Sequence, residues 1–141
     1  MVTLRGVSKS FGEQGLFEDA NLQINQGDRY VLVGANGTGK STLLRILVGE
    51  QEADSGEISF RKGFTAGYLP QENAPISPST VLETALSSTE DPDPKTEARA
   101  KAILMGLGFK VSDFERRIET LSGGWAMRAA MARLLLMAPD L

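Results

Sequence analysis

"GANGTGKST", Gly34 to Thr42, is the stretch on which the reading of this chain turns. Gly34, Gly39, Lys40 and Ser41 fit the spacing G-x-x-x-x-G-K-[ST], with Ala35, Asn36, Gly37 and Thr38 between the glycines. In that pattern glycines let the backbone wrap close to a polyphosphate, while successive N–H groups and a helix N-terminus point at its negative charge. Lys40 then reaches the β- and γ-phosphates, the Ser41 hydroxyl helps hold Mg²⁺, and Thr42 lies close to the α-phosphate. The competing reading is a hairpin, because Asn36-Gly37 is a favoured two-residue turn. The flanks favour the cradle. Tyr30-Val31-Leu32-Val33 reads as a strand buried on both faces. Lys40 to Val48 reads as a helix with Leu43, Leu44, Leu47 and Val48 on one side, stopped by Gly49.

Outward from this centre, Val2 to Val7 and the alternating Asn21 to Asn25 read as strands of a half-buried sheet, with a turn at Gly27-Asp28. Asp54-Ser55-Gly56 turns into Glu57 to Phe60, and Arg61-Lys62-Gly63 turns into Thr65 to Leu69, which predicts short antiparallel strands. A proline-rich connector follows between Asn73 and Pro94. Within it Thr80-Val81-Leu82-Glu83 fits a capping box, so a helix begins at Val81. Asp93-Pro94 starts a second helix that runs to about Met105, and Ser112 to Glu115 repeats the capping-box pattern. The last helix begins at Ser122-Gly123-Gly124 and runs to Ala138, with Met127, Met131, Leu134 and Leu135 as its apolar stripe, before Pro139 ends it. Two glycines behind a capping serine make a second anion site, with free N–H groups at the positive end of a helix dipole.

Composition narrows the chemistry. The 141 residues are 41% hydrophobic and 23% charged, as in a globular domain, and no apolar run approaches the ~18 residues of a membrane span. Without histidine or cysteine, thiolate chemistry and histidine base catalysis are excluded, and with them most hydrolase and zinc readings. A net charge of −3 argues against a sequence-independent grip on nucleic acid, so no direct DNA binding is expected. With no leader segment at Met1 to Arg5, the expected location is cytoplasmic.

Two ordered anion sites resemble the ATP-binding cassette (ABC) family, and the resemblance covers essentially the whole chain. "LSGG" at Leu121 to Gly124 is similar to the family's signature, "GYLPQE" at Gly67 to Glu72 to its Q-loop, and "SKSFG" at Ser8 to Gly12 to its A-loop. The resemblance implies an α/β fold, a P-loop NTPase cassette with a RecA-like core, an antiparallel β part and a helical subdomain. It divides the chain into a nucleotide-binding core with P-loop and Q-loop (1–72), a helical subdomain and connector (73–120), and the signature with its helix (121–141). It implies ATP and Mg²⁺ as ligands, with Phe11 against the adenine. Gln71 would contact Mg²⁺ and the attacking water. Ser122, Gly123 and Gly124 would contribute in trans to a nucleotide held by a second cassette in a head-to-tail sandwich.

Within the family, "AILMGLGF" and "LSGGWAMRAAMARLLLMAPDL" resemble the first cassette of ABC-F proteins, tandem ATPases associated with ribosomes and translation. The alternatives are the ATP-binding subunit of a membrane transporter and a non-hydrolysing nucleotide-binding fragment. Two departures bear on this choice. Only residues 73–120 separate Q-loop from signature, which leaves no room for the long arm typical of ABC-F proteins. The sequence also stops at Asp140-Leu141, before the Walker B strand with its metal-binding Asp and water-activating Glu and before the switch His. The chain is therefore expected to be the N-terminal part of a longer ATPase whose hydrolytic groups lie outside it.

Overall fold

A computed structural model describes residues 1–70 and 79–141, which divide into two compact units, 1–68 with 140–141, and 69–139. Gln71 and Glu72 lie outside the described residues.

The first unit is built on a three-stranded antiparallel sheet in the order β2-β1-β3, with β1 at Val2–Phe11, β2 at Gln14–Ile24 and β3 at Ser55–Phe60. Val2 and Leu4 obey the two-residue alternation and are buried. The alternation then breaks: the register shifts between Leu4 and Val7, Gly6 takes φ +60°, and Val7 becomes the next buried side chain. This is a bulge, held on one side by the Gly6 N–H donating to Asn21 Oδ1 at 2.9 Å. On the other side Gly56 comes so close that a Cβ there would lie 2.4 Å from the Gly6 carbonyl oxygen. Helix α1, Lys40–Leu47, covers the sheet with Leu47 buried and Leu43 packed against the same cluster of Val2, Leu4, Val7 and Ile24.

Three expectations are corrected here. Tyr30 to Val33 forms no strand, and Val31 and Val33 are 85% and 86% exposed. A parallel strand owes its burial to neighbours on both sides, and among the described residues no strand lies beside this run. Thr65 to Leu69 likewise forms no antiparallel strand. Instead Leu141 N–H donates to Thr65 O at 3.2 Å and Gly67 N–H donates to Leu141 O at 2.7 Å, the alternation of a parallel pair. The Asp140 carboxylate reinforces it, accepting from Thr65 N–H and from Arg61 Nη2, each at 3.0 Å. Finally, Leu44 in α1 is exposed and Ile46 takes its place among the buried residues.

The second unit is helical, with α2 at Val81–Leu86, α3 at Pro94–Gly106 and α4 at Gly123–Met137. The Thr80 capping box is present, with Glu83 N–H donating to Thr80 Oγ1 and Thr80 N–H to Glu83 Oε2 at 2.7 Å. Asp93 caps α3 by accepting from Thr96 N–H, with Pro94 in the first turn. The Ser112 cap does not form. The chain makes a short 3₁₀ turn at Val111–Asp113, and the Asp113 carboxylate accepts from Lys110 N–H instead.

The large residues Leu104, Phe109, Phe114 and Ile118 fill the middle of this core, each worth about 1.5–3 kcal/mol of burial. Against them α4 presents Ala126, Ala129, Ala132 and Leu136, not the expected Met127, Met131, Leu134 and Leu135 stripe; Met131 and Leu135 are exposed. Alanines bring the α4 backbone close to α2 and α3, and the long apolar residues lie off that face.

Candidate nucleotide site

In the first unit the stretch from Gly34 folds as a loop that ends in a helix. Gly37 and Gly39 both take left-handed backbone, φ +83° and +86°, which glycine adopts without the Cβ penalty. Alternating backbone of this kind turns successive N–H groups toward one concavity. Gly39 is also the N-cap of α1, no side chain caps that helix, and its first internal bond runs from Leu43 N–H to Gly39 O. The leading N–H groups of the helix are thus left for an acceptor from outside. Thr38 Oγ1 donates to Ala35 O at 2.9 Å, closing the loop on itself. The Lys40 ammonium folds back over it, donating to Gly34 O at 2.9 Å and Ala35 O at 2.6 Å. Asn36 lies on the exposed outer turn. Ser41 is exposed, and Thr42 is half-buried beside it.

The loop is seated on the β1–β2 hairpin. A Cβ on Gly39 would lie 2.9 Å from Leu16 Cβ and 3.1 Å from a Phe17 ring carbon, so this glycine is required by contact as well as by backbone angle. Phe11 ends β1 in the same hairpin, 54% exposed, with the Lys9 ammonium 5.7 Å from its ring centroid. The structure therefore brings Phe11 and Gly34 to Thr42 into one unit.

A carboxylate that the sequence marks only as part of a turn completes this region. Asp54 receives the Lys9 ammonium at 2.5 Å, Ser10 N–H at 2.7 Å and Ser10 Oγ at 2.8 Å. The hydrogen bonds from the Lys9 and Ser10 side chains hold its carboxyl at a pKa of about 2, below the ordinary 3.8. Asp54-Ser55-Gly56 signalled only a turn, and no local pattern ties Asp54 to Lys9.

Ser122, Gly123 and Gly124 lie in the second unit at the start of α4. Ser122 occupies the N-cap position with extended backbone, but its hydroxyl makes no capping bond; its carbonyl accepts from Trp125 and Ala126 N–H. Ser122, Gly123 and Gly124 are all exposed at this helix end. Behind them Trp125 packs edge-on against Phe109 at 4.9 Å, and Arg128 stacks over Trp125 at 4.5 Å while donating to Leu107 O. Among the described residues there is no group of three acidic or imidazole side chains able to hold a metal by itself. A cation here would depend on phosphate oxygens together with a hydroxyl such as that of Ser41, a donor set that suits Mg²⁺.

A glycine nest leading into a helix, with a lysine across its mouth, defines a P-loop nucleotide-binding protein. Comparison places it more narrowly. The family described as ABC transporter matches residues 17–141, and the chain belongs to that family, carrying an ATP-binding cassette. Aliphatic sulfonates import ATP-binding protein SsuB 1 of Nocardia farcinica is 37% identical over 142 positions, covering 99% of this chain and 56% of that protein. ABC transporter F family member 5 of Arabidopsis thaliana is 30% identical over 183 positions, covering 99% of this chain and 26% of that protein. A dimeric ATP-binding cassette in a post-hydrolysis state bound to ADP and Pi superposes with a TM-score of 0.80 at 24% identity, over 99% of this chain and 71% of that one. The fold is thus that of a P-loop ABC cassette, and the chain spans about a quarter to about a half of the curated relatives it matches.

Proposed function

We propose that this chain supplies the Mg·ATP-binding face of one ABC cassette in a head-to-tail pair of the ABC-F type, working with the ribosome. The observation that carries the nucleotide part is the loop itself: left-handed Gly37 and Gly39, an uncapped helix end, and Lys40 lying across the opening. The N–H groups of Gly34 to Gly39 and the first turn of α1 would surround the phosphates, with Thr42 nearest the α-phosphate. Lys40 would exchange two neutral carbonyl partners for charged phosphate oxygens, a stronger hydrogen bond. Bound Mg²⁺ would neutralise phosphate charge, with Ser41 and Gln71 as its protein contacts, and Phe11 would stack on the base. Ser122, Gly123 and Gly124 would close on the nucleotide of the partner cassette, so that ATP drives domain closure. This reading assigns binding and closure to the chain and no water-activating base.

The ABC-F assignment rests on "AILMGLGF", on Trp125 after the signature and on the F-family relative. A second reading, the ATP-binding subunit of a membrane transporter, is favoured by a specific observation. The alignment with the F-family relative spreads this 141-residue chain over 183 positions, whereas that with the sulfonate import protein needs 142. The F-family relative thus carries residues within the aligned region that this chain lacks. Co-sedimentation with ribosomes in ATP, against co-purification with a transmembrane protein, separates the two. Sedimentation with ribosomes is the expected result, and a transmembrane partner without ribosomes would overturn the ABC-F assignment.

A further inference from the structure

The β1 end that carries Phe11 is held by a cluster outside the nucleotide-binding motifs. Asp54, on the turn before β3, accepts three hydrogen bonds from two consecutive residues of β1, Lys9 and Ser10, and its own N–H donates to Ser8 O at 3.0 Å. Three β1 residues in a row are thus bonded to one residue immediately before Phe11. An antiparallel ladder alone would not do this, because the pairing of β1 with β3 ends at Ser8–Ser55. Beyond that point Phe11 depends on the hairpin with Gln14 and on Asp54.

Lys9 is oriented by the same bond. Lys9 and Phe11 are two residues apart on a strand and so share a face, and the ammonium drawn toward Asp54 lies 5.7 Å from the Phe11 ring centroid. A cation near a ring face is attracted to its π-cloud. Lys9 is thus tied on one side to a carboxylate that stays ionised and on the other to the ring. It lies near the ring of a side chain that is 54% exposed.

We infer that Asp54 is a positioning residue for base recognition: acting through Lys9 and Ser10, it holds Phe11 in the orientation in which the free ring face stacks on the purine of a bound nucleotide. The inference rests on the Phe11 role proposed above and deepens it by naming the group that sets that role. In this inference Asp54 is assigned no contact of its own with phosphate or base. Its substitution therefore affects the base-dependent part of binding and leaves the phosphate-dependent part intact.

The test compares two ligands, Mg·ATP and inorganic Mg·tripolyphosphate, which share the phosphates and differ in the nucleoside. Calorimetric affinities are measured for the 141-residue chain and for Phe11→Ala, Asp54→Ala, Asp54→Glu, Lys9→Met and the double variant Phe11→Ala/Asp54→Ala. Loss of the aromatic face should weaken ATP roughly tenfold, in the range of base–aromatic stacking, and leave tripolyphosphate unchanged. Asp54→Ala and Lys9→Met should reproduce a roughly threefold to tenfold part of that selective loss, and Asp54→Glu should restore most of it. In the double variant Asp54→Ala should add nothing to Phe11→Ala, because a residue that acts through Phe11 has no effect without it.

A merely structural Asp54 would weaken both ligands together, or weaken ATP as much in the Phe11→Ala background as in the parent. Either result overturns the inference while leaving base stacking in place. If Phe11→Ala itself spares ATP, the stacking role and the inference fall together. The phosphate cradle is judged apart from both, by loss of the two ligands in Lys40→Ala.

Discussion

Gly39→Ala offers the sharpest test of how the phosphate loop is held, because the structure separates two costs that usually come mixed. The first is conformational: at φ +86° an L side chain suffers the left-handed penalty of about 1–2 kcal/mol. The second is contact. The new methyl would lie 2.9 Å from Leu16 Cβ and 3.1 Å from Phe17, and Leu16 Cβ is fixed to the β2 backbone, so relief requires moving the hairpin or the loop. Overpacking of this kind costs about 1–3 kcal/mol, for a total of about 2–5 kcal/mol. Gly37 is the internal control, since at φ +83° it carries the same backbone term but, among the described residues beyond its chain neighbours, no atom lies within 4 Å of its Cβ position. Gly37→Ala should lose only about 1–2 kcal/mol. Urea unfolding followed by far-UV circular dichroism reads the difference as a midpoint for Gly39→Ala lower by roughly 1 M at unchanged slope. Equal midpoints for the two variants would refute the claim that the loop is seated on Leu16 and Phe17.

Three further outcomes follow from the same structure. Thr80→Ala removes the acceptor for Glu83 N–H and should destabilise the helical unit by about 1 kcal/mol, seen in Trp125 fluorescence during unfolding, while Glu83→Gln should cost less because glutamine also completes a capping box. Asp54 is held at about pH 2 when folded against 3.8 ordinarily, so its stabilising contribution is complete above about pH 4 and fades as the pH falls toward 2, where the unfolded chain takes up its proton first. Asp54→Asn should flatten the acid limb of the stability curve in that window, and an unchanged limb would show that another carboxylate governs it. Ser122→Arg should leave Mg·ATP affinity at the P-loop intact and abolish ATP-dependent pairing of full-length cassettes in analytical ultracentrifugation. A loss of single-cassette affinity would contradict the assignment of Ser122 to the partner's nucleotide.

What could be read from the residues was what short-range chemistry decides. The spacing Gly34 to Ser41 specifies a backbone path, and Gly37 and Gly39 follow it. Thr80 and Glu83 carry their capping box within four residues, and Asp93-Pro94 does the same for α3. Features that depend on distant neighbours were misread. Tyr30 to Val33 has the composition of a buried strand, but burial comes from adjacent strands and not from the run itself. In α4 the largest apolar residues suggested the buried face, whereas close approach to α2 and α3 selects Ala126, Ala129 and Ala132. Ser112 has the pattern of a cap, yet the 3₁₀ turn starts at Val111 with Lys110 as its N-cap, and Asp113 inside the turn accepts from Lys110 N–H. The Asp54 cluster joins residues 44 and 45 positions apart in the chain, a separation no local pattern spans.

The central claim is that Gly34 to Thr42 cradles the phosphates of Mg·ATP, and titration calorimetry of the chain and of Lys40→Ala tests it most directly. Among the described residues Lys40 donates to Gly34 O and Ala35 O, exposed carbonyls that water can satisfy in its place, so the variant should keep its fold by circular dichroism. The account predicts saturable Mg·ATP binding by the parent and a loss of at least roughly tenfold in the variant, as expected for a charge-assisted phosphate contact. A folded Lys40→Ala that binds Mg·ATP as tightly as the parent would contradict it.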